Sequence, residues 1–169
     1  MKLTGFAGLF GRAFSLAQAH TRGERMFDHV KFGVSDYAAS KAFFVKALEP
    51  LGVAIVAEGV PTYGVELCQP EGKVSLCLYQ AEEKPAPLHL AFAAENRRQV
   101  EAFHRAALEA GGKDNGAPGL RPHYHANYYA AFVIGPDGHN IEVVCHDPEP
   151  PRDALPLDQL TASGETLPP

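Results

Sequence analysis

The chain is poor in the features that most readily assign a protein to a class. Cysteine is scarce: Cys68, Cys77 and Cys145 are the only three in 169 residues. An odd number without C-x-x-C spacing argues against both a disulfide framework and a cysteine zinc site. Basic charge is also lacking, with 15 Lys and Arg against 20 Asp and Glu and a net charge of −5. Such a surface offers no electrostatic footprint for nucleic acid or for an anionic membrane. No run of about 18 uncharged apolar residues occurs, so no segment is expected to cross a bilayer as a helix. These absences leave a small-molecule substrate or another subunit as the expected partner. A reducing cytoplasm is the expected compartment.

What is present suffices for one good core, since 46% of the residues are hydrophobic. The two ends differ from the middle. "MKLTGFAGLFGRAFSLAQA" has Lys2, an apolar stretch and an A-x-A at Ala17 to Ala19, the outline of a secretory signal. Arg12 interrupts that stretch, and an extension (1–25) before an internal start at Met26 is the preferred reading. Residues 147–169 are rich in proline and polar residues without apolar periodicity, and read as a tail. The folded unit is expected over 26–146.

Within it the chain repeats itself. His29, Phe32, Ala42, Phe43, Ala47, Leu48 and Gly52 recur as His89, Phe92, Ala102, Phe103, Ala107, Leu108 and Gly112, each pair offset by 60 residues. A fixed offset without gaps signals two copies of one supersecondary unit, at about 26–80 and 87–146, neither able to bury its own apolar face. "HVKFGV" and "HLAFAA" read as strands. Each precedes a 3.6-residue pattern, Tyr37, Phe44 and Leu48 in one copy and Val100, Phe103, Ala107 and Leu108 in the other. Ser35 and Asn96 are the expected N-caps, and Gly52 and the pair Gly111 and Gly112 the stops. "VAIVAE", "TYGVELC" and "KVSLCLYQ" supply three more strands. The second copy closes with "YYAAFVIGPDGHNIEVVCH", a hairpin turning at "GPDG". Its middle strand falls somewhere in "GGKDNGAPGLRPHY". The expected fold class is α+β: two βαβββ modules pairing into a cupped, barrel-like mixed sheet with helices outside.

The paired modules, the strand-opening histidines and "GPDGHNIEVV" resemble the vicinal oxygen chelate superfamily of glyoxalase I, extradiol dioxygenases, fosfomycin-resistance enzymes and bleomycin-binding proteins. The motifs are specific for that fold and weakly specific for any one activity.

The residues suggest a chemistry of their own. His29 and His89 hold equivalent places, so a pseudo-twofold axis would bring both imidazoles to a shared cleft. Strand alternation puts Asn140, Glu142 and Val144 on one face, and a carboxylate there requires a partner. A divalent ion held by His29, His89 and Glu142 satisfies all three and keeps open positions. Without a metal, His29 is simply satisfied by Asp28 or backbone. The resemblance implies the same three ligands, with Fe, Mn, Zn or Ni as the metal. Where glyoxalase I has a fourth ligand, a glutamate on the last strand of the first module, Leu76 falls at the matching place. That departure favours a three-ligand site. "RPHYHANYY" supplies a second cluster: Arg121, His123, His125 and Tyr128 are expected at the cleft mouth, His123, His125 and Tyr128 being the candidate catalytic groups. A second metal site and a plain surface loop are its other readings. His104 and His139 are expected to be exposed, and Phe32, Phe92, Tyr63 and Tyr129 are candidate pocket walls.

The resemblance implies a lyase, isomerase or ring-cleaving dioxygenase acting on a substrate chelated through vicinal oxygens, and a homodimer. The rival from another class is a metal-free, drug-sequestering binding protein.

Overall fold

The computed structural model describes residues 27–148 apart from position 73. The N-terminal extension and the tail beyond 148 lie outside the described residues. The first module runs β1 (His29–Val34), α1 (Tyr37–Leu48), a 3-10 turn (Glu49–Leu51), β2 (Ala54–Glu58), β3 (Val65–Cys68) and β4 (Ser75–Gln80). The second repeats it with β5 (His89–Ala93), α2 (Arg97–Glu109), β6 (Lys113–Leu120), β7 (Tyr129–Ile134) and β8 (Asn140–Cys145). The obscure middle strand is therefore the whole of β6. Among the described residues no helix is long and apolar enough to cross a membrane.

Each module forms a four-stranded mixed sheet, ordered β1-β4-β3-β2 and β5-β8-β7-β6. The first and last strands of a module pair in parallel, and the remaining pairs are antiparallel. The expected α+β class and modular duplication hold. Among the described residues no ladder joins the two sheets, and the modules meet through their helices, α1 against α2, rather than carrying them outside. The helices therefore lie at the junction, because their apolar faces are what the two modules have to share. α1 buries Tyr37, Phe43, Phe44, Ala47 and Leu48, a helical spacing, and α2 buries Val100, Phe103, Ala106 and Ala107. Each of the three phenylalanines withdraws enough apolar surface to contribute about 2–3 kcal/mol. Leu108, expected on the same face, is instead exposed.

Two local details tie the modules together. Asn96 caps α2 as expected, its side chain accepting from Gln99 N–H at 3.0 Å. Ser35 does not cap α1; Asp36 does, accepting from Ala39 N–H at 3.0 Å. Ser35 is committed across the junction: its N–H donates to Asp137 Oδ2 at 2.8 Å and its hydroxyl donates to Oδ1. Asp137 sits in the "GPDG" turn at φ 60°, followed by Gly138 at φ 83°. Gly112 allows the closest approach at the junction, since a Cβ there would lie 2.4 Å from Val133 Cγ1 and 2.9 Å from Phe43 Cε2.

Candidate metal centre

β5 and β8 run side by side with His89 opposite Asn140 and Ala91 opposite Glu142. Alternation sends His89 and Glu142 to the sheet face turned away from the helices. There, His89 Nε2 lies 3.1 Å from Glu142 Oε2. Asn140 Nδ2 donates to His89 Nδ1 at 2.7 Å, which leaves the imidazole proton on Nε2, directed at the carboxylate. Asn140 is oriented in turn by Asn115, whose Nδ2 donates to its Oδ1 at 3.1 Å. Glu142 is 3% exposed, although the face it lies on is open. Its second oxygen accepts from Tyr128 Oη–H at 2.6 Å. Burial raises the Tyr128 phenol to about 12, assisted by its bond to the Glu142 charge. Tyr128 is thereby kept a donor.

Around Tyr128 the loop between β6 and β7 builds an aromatic cluster. Tyr124 lies 5.1 Å from the Tyr128 ring and 4.2 Å from His123. His146, at the end of β8, meets Tyr128 at 5.1 Å and His125 at 6.3 Å. His123 and His125 are exposed, and His125 Nδ1 accepts from Asn127 N–H at 3.3 Å. Arg121 leans over Phe132, the residue opposite Glu142 on β7. The cluster thus brings Arg121, His123, His125 and Tyr128 to one end of the β5–β8 face.

His29 stands apart. It lies on the open face of the other sheet, its Nδ1 2.9 Å from Asp28 Oδ1. Among the described residues no three His, Cys, Asp or Glu side chains within one chain are placed to hold a metal. A cavity of about 360 Å³ lies on the helix side, lined by Phe43, Ala110 and Ile134 among others, remote from these groups. His89 and Glu142 nevertheless fit a metal as a pair. Two donors each about 2.1 Å from one ion lie about 3.0–3.4 Å apart, which brackets the observed 3.1 Å. Tyr128 supplies an outer hydrogen bond that orients Glu142 as a ligand. A metal on His89 Nε2 would move the ring proton to Nδ1, so Asn140 would have to turn its amide oxygen to that nitrogen to support it.

Residues 26–143 match the Glyoxalase/Bleomycin resistance protein/Dioxygenase superfamily. The chain belongs to this superfamily. No curated protein matches it. Among solved structures, a glyoxalase/bleomycin resistance protein from Albidiferax ferrireducens T118 is 29% identical with a TM-score of 0.61, covering 73% of this chain and 100% of its own. The oxidase ChaP-H2 is 23% identical with a TM-score of 0.52, over 73% and 94%. A glyoxalase/bleomycin resistance protein/dioxygenase family enzyme from Burkholderia phytofirmans PsJN is 16% identical with a TM-score of 0.56, over 71% and 98%. The last two likenesses concern the fold alone.

Superfamily membership makes the comparison between modules informative, and it corrects one assignment. His29 faces Ser75 as His89 faces Asn140, and Lys31 faces Cys77 as Ala91 faces Glu142. The counterpart of Glu142 is therefore Cys77. Leu76 is its buried neighbour, directed into the core. Two histidines also change place. His139 is fully buried rather than exposed, its Nδ1 accepting from Leu88 N–H at 3.0 Å and its ring set edge-on to Phe32 at 5.1 Å. His104 is largely covered and pairs with Asp114 at 3.0 Å. Of the expected pocket walls, Phe32 packs on Phe44 and Tyr129 bonds Glu101 of α2, so both serve the helix side. Tyr63 remains on the open face, over Lys31. Asn140 was legible as sharing a face with Glu142; its role as the orienting donor was not, and no local pattern marks His146.

Proposed function

We propose that this chain is a metal-dependent enzyme of the superfamily, a lyase, isomerase or ring-cleaving dioxygenase acting on a small substrate that presents two neighbouring oxygens. One divalent ion, Fe, Mn, Zn or Ni, is held by His89 and Glu142 of one copy and His29 of a second copy in a cytoplasmic homodimer. The observation that carries the reading is the 3.1 Å pair of His89 and Glu142, supported on both sides and set on a sheet face that a single chain leaves open. His29 occupies the equivalent position on the other module's open face, so apposing the two unlike faces about a twofold axis brings the three together. The bound ion supplies a Lewis acid for the substrate oxygens. Glu142 takes the place its register gives it and is held there by Tyr128, a positioning residue. His123 and His125, exposed at the end of the same face, accept or deliver the substrate proton.

A second reading has its own support. Both Glu142 oxygens already have partners within one chain, His89 and Tyr128, as a metal-free drug-binding member would require. Metal analysis of the purified protein separates the two. About one ion per chain, lost in Glu142→Ala, supports the enzyme; none in either protein leaves the sequestering reading ahead. Catechols, glutathione hemithioacetals and acyl-thioester epimerase substrates, assayed with each reconstituted metal, then assign the reaction.

A further inference from the structure

Glu142 stands in a row of side-chain places that crosses the second sheet. It faces Phe132 on β7, and Phe132 faces Gly116 on β6. Gly116 puts no side chain on the open face, and Arg121 takes the space instead: a Cβ at Gly116 would lie 3.5 Å from its Nη2, and one at Gly119 would lie 2.9 Å from its Nη1. The guanidinium is fixed there by donating to Ala117 O at 2.7 Å and to Leu120 O at 3.3 Å, and it lies 5.6 Å from the centre of the Phe132 ring. The same ring stacks against His89 at 6.5 Å. The root of the side chain is held as well, the Arg121 N–H donating to Tyr128 O at 2.7 Å. Phe132 is thus a platform between an arginine and the pair of His89 and Glu142.

Lys41 is paired with Glu58, and Lys46 with Glu49 and Glu109. Among the described residues no carboxylate pairs with Arg121 in the same way. Two carbonyls engage part of its fork, and the remaining N–H groups meet no acceptor among those residues. An arginine held by backbone carbonyls and an aromatic face, with donors to spare, is preorganised for a planar anion. We infer that Arg121 is the specificity residue of the site and that the substrate carries a carboxylate, separated by an apolar spacer from the two oxygens that reach the metal. The inference rests on the reading that His89 and Glu142 hold a metal. Neighbouring strands lie about 4.8 Å apart, which sets the place of the guanidinium in the row about 10 Å from that of Glu142. The spacer lies over Phe132, between the two.

Adipic monohydroxamate tests this without a known substrate. It offers two neighbouring oxygens to a metal and a carboxylate at the far end of an apolar chain, and its methyl ester has the same reach without the charge. Calorimetric titration of the zinc-loaded, full-length protein should show the acid bound at least about tenfold more tightly than the ester, as a charge-assisted hydrogen bond requires. Arg121→Gln should remove that preference while zinc content and affinity for the ester stay unchanged. Should Arg121→Gln fail to fold, Arg121→Lys keeps the charge without the fork, and the preference should fall at least about threefold. A preference unchanged in the variant overturns the role of Arg121. Equal affinity for acid and ester, or no binding of either by the zinc-loaded protein, overturns the carboxylate site; in each case the metal reading stands. A protein that takes up no zinc overturns both.

Discussion

Replacing Tyr128 by phenylalanine removes one hydroxyl and little else, which makes it a sharp probe of the Glu142 environment. The Tyr128 ring keeps its neighbours Tyr124 and His146, both at 5.1 Å. What is lost is the 2.6 Å bond to a carboxylate whose side chain is 4% exposed. A hydrogen bond to a charged group contributes about 1.5–3 kcal/mol, and an acceptor stranded out of water costs a similar amount. Tyr128→Phe is therefore expected to lower stability by about 2 kcal/mol, a fall in Tm on the order of 5–10 °C for a domain of this size. Urea denaturation read by circular dichroism measures it. In a cycle with Glu142→Gln the two changes should couple by about 1 kcal/mol. The sign of the pH effect is fixed as well. The folded phenol titrates near 12 against an ordinary 10.0, so the bond's contribution is intact below pH 10.0 and disappears as pH rises through the folded value. Metal affinity should fall about 10–100-fold, as for other residues that orient a ligand. A Tyr128→Phe protein within about 0.5 kcal/mol of wild type, or strict additivity in the cycle, refutes the reasoning.

Burial lowers the pKa of His139, with Asp137 opposing and Lys84 assisting, so the unfolded chain takes up the proton first. Stability should thus fall as pH drops below about 6.5, and His139→Gln should flatten that slope in urea titrations; a wild-type profile flat between about pH 7 and 5 contradicts this. Burial of Asp137 pushes its pKa up, but the two Ser35 bonds and the nearby His139 and Lys84 charges prevail and lower it. Its stabilisation therefore holds above about pH 4 and is lost below, and Asp137→Ala should abolish that acid step in thermal melts. Gly112→Ala forces a methyl group against Val133 and Phe43, and calorimetry should show a loss of about 1–3 kcal/mol. On the identified substrate, His123→Gln or His125→Gln should lower turnover about 10²–10⁴-fold at unchanged metal content; normal turnover in both removes them from the proton path.

The sequence was most legible where a periodicity repeated. The 60-residue offset placed both modules, and the five opening strands and helices followed, because the same apolar spacing had to serve twice. β6 was illegible, since "KDNGAPGL" lacks alternation and is ordered by pairing with β7, across two register shifts. His139 looked like a turn residue, but its ring packs edge-on against Phe32 of the other module and accepts from Leu88 N–H, contacts that come from tertiary packing. Ser35 was misread for a related reason. Asp36, the next residue, takes the cap, while Ser35 is drawn to a carboxylate 102 positions away. In the site, alternation put Glu142 and Asn140 on one face. The counterpart of Glu142 depended on register, which aligns Lys31 with Cys77 and could not be counted from turn glycines.

The claim that one metal site is built from two copies is tested most directly by mixing two defective variants. His29→Ala and Glu142→Ala should each purify as dimers without metal. After denaturation, mixing and refolding in excess Zn(II), half the dimers are mixed, and one of the two sites in each has every ligand intact, so about a quarter of all sites should bind metal. If the mixture binds no more metal than its two components, or if either variant alone keeps one ion per chain, the composite site is contradicted.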